Sequence, residues 1–146
     1  DGVVRNGPED ESYDASVLLL PILGFPDAEL CLNTTRAIAR ELATAQDEGH
    51  SAFLYRYKRA DDFGLPESSF MICSYWLAQA WAACGRKDEG LRLLAKLQEC
   101  ANPLGLLPEH WDNIRKRHLG NFPQTYSHVG LINAAFAASP AWIEIL

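Results

Sequence analysis

The sequence predicts an all-α fold of helical hairpins packed in two layers. Apolar residues recur at helical spacing along most of the 146 residues, and no segment shows convincing strand alternation. The helical segments are of two kinds, some apolar on every side and others striped along one face. The two kinds alternate strictly, which implies an inner layer enclosed by protein and an outer layer facing water. With 48% apolar and 22% charged residues, the composition is that of a globular protein able to build a core. The length suits one domain, residues 1–146.

The first inner segment runs from Asp14, an N-cap type, to Leu23 and is apolar nearly all round. Asp27 to Asp47 is striped, with Leu30, Thr34, Ala37, Ile38, Leu42 and Ala45 on one face and Arg36, Arg40, Glu41 and Thr44 off it. Ser68 to Cys84 is apolar on every side, and Trp76 and Trp81 belong to its core packing. Lys87 to Ala101 is striped through Leu91, Leu94, Ala95 and Leu97. Gln124 to Ala138 returns to the enclosed type, with Val129, Leu131, Ile132, Ala135 and Phe136.

Inner-to-outer links are short, Gly24-Phe25-Pro26 and Gly85-Arg86. Outer-to-inner links are long, Glu48 to Glu67 and Asn102 to Pro123, and loops of more than ~12–15 residues in a compact domain usually carry function. Both long loops, and the stretch Asn6 to Tyr13, lead into the N-terminal ends of inner segments, where helices present free N–H groups and their positive pole. The unusual polar and aromatic residues gather there: Glu9, Glu11, Tyr13, Arg56, Tyr57, Asp61, Asp62, Glu67, Glu109, His110, Trp111, Asp112, Asn121 and Gln124. The plainest account of them is that Asp14 and Glu67 cap helices and the others are solvated loop charges.

Several function classes are excluded. The formal charge is −6, and the densest basic cluster is the short Arg115-Lys116-Arg117-His118, so no basic face is offered to nucleic acid. The longest apolar run, Val17 to Leu23, falls far short of the ~20 residues of a bilayer span, and no membrane partner is expected. His50, His110, His118 and His128 lack metal-ligand spacing, so no metal site is expected. Cys31, Cys73, Cys84 and Cys100 form no C-x2-C pair. An even count leaves disulfides open, but buried free thiols in a reducing compartment are the expectation. No secretory signal opens the chain, so a cytoplasmic protein is expected and the acceptor-like Asn33-Thr34-Thr35 carries little weight. The start at Asp1-Gly2-Val3-Val4 reads as a fragment of a longer protein.

Carboxylates beside aromatic rings suit sugar chemistry. Rings stack on pyranose faces, Arg and Asp bind paired hydroxyls, and two carboxyl groups can serve as acid and base across a glycosidic bond. Five motifs give this a direction. Ser12-Tyr13-Asp14-Ala15-Ser16 through Pro21 and Gly24-Phe25, Tyr55-Arg56-Tyr57 with Asp61-Asp62, Pro66-Glu67-Ser68-Ser69-Phe70, Leu106-Leu107-Pro108-Glu109-His110-Trp111-Asp112, and Gly120-Asn121-Phe122-Pro123-Gln124-Thr125-Tyr126-Ser127-His128 resemble, in order and at similar spacing, glycoside hydrolase family 15, the glucoamylase-like and trehalase-like family. The resemblance covers nearly the whole chain.

It implies part of an (α/α)6 toroid, two concentric layers of helical hairpins with the active site at the N-terminal ends of the inner helices, of which this chain is the C-terminal portion. It places the catalytic general base at Glu109 and substrate-binding roles at Arg56, Glu67 and Phe70. Trp111, beside Glu109, is added as a candidate sugar platform, and His128 as helix packing near the site. The family commonly has glycines around the position of Glu67, where this chain has Pro66, Ser68 and Ser69, so the local backbone departs from the pattern. The family's general acid lies upstream, outside this chain.

The activity implied is inverting hydrolysis of α-linked glucose oligosaccharides, glucoamylase-like, with no cofactor and with the N-terminal half of the domain as a partner. The alternative within the family is an α,α-trehalase. A non-catalytic helical-hairpin binding module is the alternative from another class, although repeat scaffolds show self-similar hairpins and these are dissimilar. The 146 residues alone are expected to be inactive and to self-associate through the uncovered inner face.

Overall fold

The computed structural model describes residues 2–44, 53–62 and 64–140 together with Ile145. The fold is mostly helical, with five α-helices among the described residues. The first inner segment begins as a 3-10 turn, Ala15–Leu18, and continues as the short helix α1, Leu19–Ile22. Pro21 has no N–H to return to Val17, which disfavours an α-helical start. Asp14 caps the turn, its Oδ1 accepting from the Ser16 N–H at 2.9 Å. Helix α2, Ala28–Glu41, is capped by Asp27 and buries Cys31, Thr34, Thr35, Ala37 and Ile38 along one face. It stops earlier than the stripe implied, because Leu42 and Thr44 turn to pair with Tyr55 and Phe53. Ala45 and His50 lie outside the described residues.

Helix α3, Met71–Ala83, is the centre of the molecule. One side, with Met71, Tyr75, Ala78 and Ala82, joins a cluster containing Leu94, Leu97, Leu107 and Ala134. The other side, with Ile72, Cys73, Leu77 and Ala80, joins Ala15, Leu18, Ile38 and Leu54. A helix apolar all round is thus covered from both directions, as its pattern requires. Helix α4, Lys87–Leu97, runs on into a 3-10 turn, Gln98–Cys100. Helix α5, Thr125–Ala138, closes the set. Close approach needs glycine at two points. A Cβ on Gly90 would stand 2.8 Å from the Ala78 carbonyl oxygen of α3, and one on Gly130 would stand 2.7 Å from Ile72 Cδ1 and 2.9 Å from Tyr75 Cβ.

The short links close as anticipated, with glycine in the left-handed region after the helix. Phe25 N–H reaches Leu20 C=O and Gly24 N–H reaches Pro21 C=O, and Arg86 and Gly85 repeat the pattern with Trp81 and Ala82. The four cysteines are free, with Cys31, Cys73 and Cys100 buried. No helix among the described residues is long and apolar enough to cross a membrane.

Two further features differ from expectation. A three-stranded antiparallel sheet joins β1 (Ser69–Phe70), β2 (His110–Asp112) and β3 (Arg117–Leu119) in that order. Strands of two or three residues are shorter than the 4–8 residues over which alternation becomes readable. Helix α5, although apolar all round, leaves Val129, Ile132 and Phe136 exposed, the last by 73%. Within the described residues its outer side has no cover.

Candidate active site

The described parts of both long loops fold back onto the N-terminal ends of helical segments, where main-chain donors lack helical acceptors. Ala15 N–H donates to Arg56 C=O at 2.8 Å, Met71 N–H to Glu109 C=O at 3.0 Å, and Gln124 N–H to Leu107 C=O at 2.9 Å. Phe70 N–H bonds Leu54 C=O at 2.9 Å, so the segment leading to Arg56 runs along the start of α3. Arg56, Glu67 and Glu109 therefore belong to the same end of the fold.

Glu109 is the most elaborately held of these. The first turn of α5 clamps the two residues before it: Ser127 Oγ donates to Pro108 C=O at 2.8 Å, and His128 Nε2 accepts from Leu107 N–H at 3.2 Å. The β2–β3 ladder pairs His110 with Leu119 and would next pair Glu109 with Gly120. Gly120 instead has φ +73°, and this bulge lets Glu109 N–H reach Asn121 C=O at 3.0 Å. The Asn121 N–H then donates to Glu109 Oε2 at 2.8 Å, and the Tyr126 hydroxyl donates to Oε1 at 2.5 Å. A Cβ at Gly120 would stand 2.6 Å from Oε2, so glycine is needed there for space as well as for conformation. Burial pushes the Glu109 carboxyl up, but the Asn121 N–H, the Tyr126 hydroxyl and the charge of His110 together hold it below the usual carboxylate range. At neutral pH it is ionised.

Around it, Phe70 stacks on the His110 ring with centroids 4.7 Å apart and meets Tyr126 edge-on at 5.8 Å. Ser68 Oγ lies 3.2 Å from His110 Nδ1. Burial, opposed by Glu109, keeps His110 below the ordinary histidine range. Arg56 is held from beneath: its Nε lies 3.4 Å from Oδ2 of the buried Asp14, while its own side chain remains 52% exposed. One edge of the guanidinium is thus held against the Asp14 carboxylate. Glu67 is exposed in the segment before β1 and caps no helix, since α3 begins after Phe70 without a side-chain cap.

Trp111 requires correction. It is 8% exposed and packs in the cluster containing Met71, Tyr75 and Leu107, with the His118 ring 5.6 Å away. Strand β2 turns alternate side chains to opposite faces, so with His110 against Phe70, Trp111 faces the core and offers no platform to a sugar. Asp112 is likewise a builder of the hairpin. Its Oδ1 accepts from the Ile114 and Arg115 N–H groups, and its carboxyl falls to about 2, chiefly through the Arg115 N–H. Among the described residues no group of three or more His, Cys, Asp or Glu could hold a metal ion. Tyr126 is the site residue that the sequence did not single out. Its signal was its position two residues after Gln124, in the first turn of an inner helix.

The sequence model described as Glycosyl hydrolases family 15 matches residues 3–136. The chain belongs to that family. Over 137 residues it is 41% identical to a trehalase of Mycobacterium tuberculosis (strain ATCC 25618 / H37Rv), an alignment that takes in 91% of this chain and 19% of that protein. A trehalase of Thermoplasma acidophilum (strain ATCC 25905 / DSM 1728 / JCM 9062 / NBRC 15155 / AMRC-C165) is 36% identical over 138 residues, covering 92% of this chain and 22% of its own length. The chain thus spans about a fifth of the length of these curated relatives. Among solved structures, one titled Glycosidase Wild Type superposes with a TM-score of 0.73 at 22% identity, covering 94% of this chain and 39% of that one. At that identity the family 15 chain shares the fold with it.

Proposed function

We propose that this family 15 chain is the C-terminal part of the catalytic domain, an (α/α)6 toroid, of an inverting α,α-trehalase. The observation that carries the substrate is the run of trehalases among its relatives, 30–41% identical over about nine-tenths of the chain. Trehalose therefore replaces longer α-linked glucose oligosaccharides as the preferred substrate. In this reading Glu109 takes a proton from a water whose oxygen attacks one anomeric carbon. The bond from that carbon to the bridging oxygen breaks, and a carboxylic acid from outside this chain protonates the departing oxygen. Arg56 and Phe70 bind the glucose at the cleaved end, and Glu67 lines the same pocket. Four free thiols, three of them buried, support a cytoplasmic setting.

The deciding experiment follows trehalose hydrolysis by the full-length protein with proton NMR before mutarotation. Inversion yields β-glucose from the attacked ring and α-glucose from the leaving ring in equal amounts. Release of α-glucose alone would sink the inverting mechanism. Faster turnover of maltose would return the glucoamylase-like reading, and no hydrolysis of either sugar would favour a binding module. A second expectation concerns Arg56. An ammonium lacks the planar fork, so Arg56→Lys lowers kcat/KM by at least about tenfold, roughly 1.4 kcal/mol of transition-state binding. Unchanged kinetics would make Arg56 a surface residue held by Asp14.

A further inference from the structure

We infer that Tyr126 is the positioning residue of the Glu109 base, its hydroxyl and the Asn121 N–H together fixing the carboxylate that receives the proton of the attacking water. This rests on the catalytic reading above and deepens it. The two donors come from different elements and divide the carboxylate between them, the phenol on Oε1 at 2.5 Å and the amide on Oε2 at 2.8 Å. An ionised carboxylate has about four lone-pair sites, so each oxygen keeps one for water. Rotation of the carboxylate would break both bonds at once.

Tyr126 is itself held in place. Phe70 packs edge-on against its ring, and its helix turn is tied to the Glu109 loop through Ser127 and His128. On the far side Gly120 closes the cradle, because any larger residue would displace Oε2. The chemistry of the donor matters as much as its position. An arginine or lysine here would bring a full positive charge and weaken the base, whereas a phenol orients it through a neutral hydrogen bond. Burial, followed by the hydrogen bond to Glu109 and then by its negative charge, pushes the Tyr126 hydroxyl well above its ordinary range, so it remains a donor throughout the working pH range. The other titratable groups that act on the pair are His110 from β2, facing Glu109, and the buried thiol of Cys73 from α3, facing Tyr126.

The sign of the test follows from the hydrogen bond favouring ionised Glu109. In the full-length protein, Tyr126→Phe removes the donor and lets Glu109 protonate at higher pH. The acid limb of kcat/KM on trehalose then rises by about one pH unit, plateau kcat falls about tenfold and KM stays within about twofold. Replacing Tyr126 with 3-fluorotyrosine, a stronger donor, moves the acid limb the other way. If Tyr126→Phe loses its far-ultraviolet circular dichroism, the fluorinated protein alone decides. An unmoved acid limb, with or without loss of kcat, overturns the positioning role, provided Glu109→Gln is inactive. An active Glu109→Gln protein overturns the base assignment itself, and the role of Tyr126 with it.

Discussion

Glu109→Gln lowers kcat by at least about a hundredfold in the full-length protein, with KM little changed and circular dichroism intact. The reason is local. Gln keeps the size of the side chain and an oxygen for the Asn121 N–H, but it cannot accept a proton. Loss of a positioned general base costs ~10²–10⁴-fold. Glu99→Gln serves as the control, because Glu99 is exposed in the 3-10 turn after α4 and its replacement leaves activity alone. If Glu109→Gln retains more than about a third of the parental kcat, the base lies elsewhere on this rim, and Glu67 is examined first.

Trp111→Ala destabilises the fold by ~3–5 kcal/mol, the usual range for removing a buried aromatic ring, and it does so without a selective effect on KM. The indole fills the space between α3 and Leu107 on the core side of β2, and the alanine leaves a cavity that the sheet cannot close without moving Glu109. Trp111→Phe keeps most of the packing and most of the activity. Urea unfolding paired with kinetics on trehalose separates the alternatives. A rise in KM at unchanged stability would restore Trp111 as a sugar platform.

The contrast between Glu109 and Trp111 shows where reading a linear sequence reaches its limit. Both stand in Leu107-Pro108-Glu109-His110-Trp111-Asp112, a stretch legible as a motif because carboxylate, aromatic and imidazole groups are concentrated there. Which of them faces the rim depends on a strand of three residues, β2. A segment that short has no hydrophobic period of its own, and its partners Ser69–Phe70 and Arg117–Leu119 lie far along the chain on one side and close by on the other. The pairing sets His110 against Phe70 and sends Trp111 inward, while Glu109, just before the strand, meets the Tyr126 hydroxyl. Tyr126 escaped notice for a related reason: a tyrosine in an apolar helix looks like packing until its hydroxyl is seen against a carboxylate 17 residues earlier.

The sequence by itself determined that the fold is mostly helical, the order of the helices and the short links between them, because these depend on local spacing and on glycines that end helices. Periodicity made α3 a helix that had to be covered on all sides, and Gly24 and Gly85 marked the two turns. Together with the order of the motifs, this sufficed to point to the family and to Glu109. Only the tertiary structure decided how Glu109 is held. The bulge at Gly120, the two donors on the carboxylate and the tether from Asp14 to Arg56 join residues 12, 17 and 42 positions apart. No local propensity encodes such contacts. They exist because helix ends leave main-chain N–H groups unpaired, and the long loops return to satisfy them, carrying the polar side chains of the site to one rim.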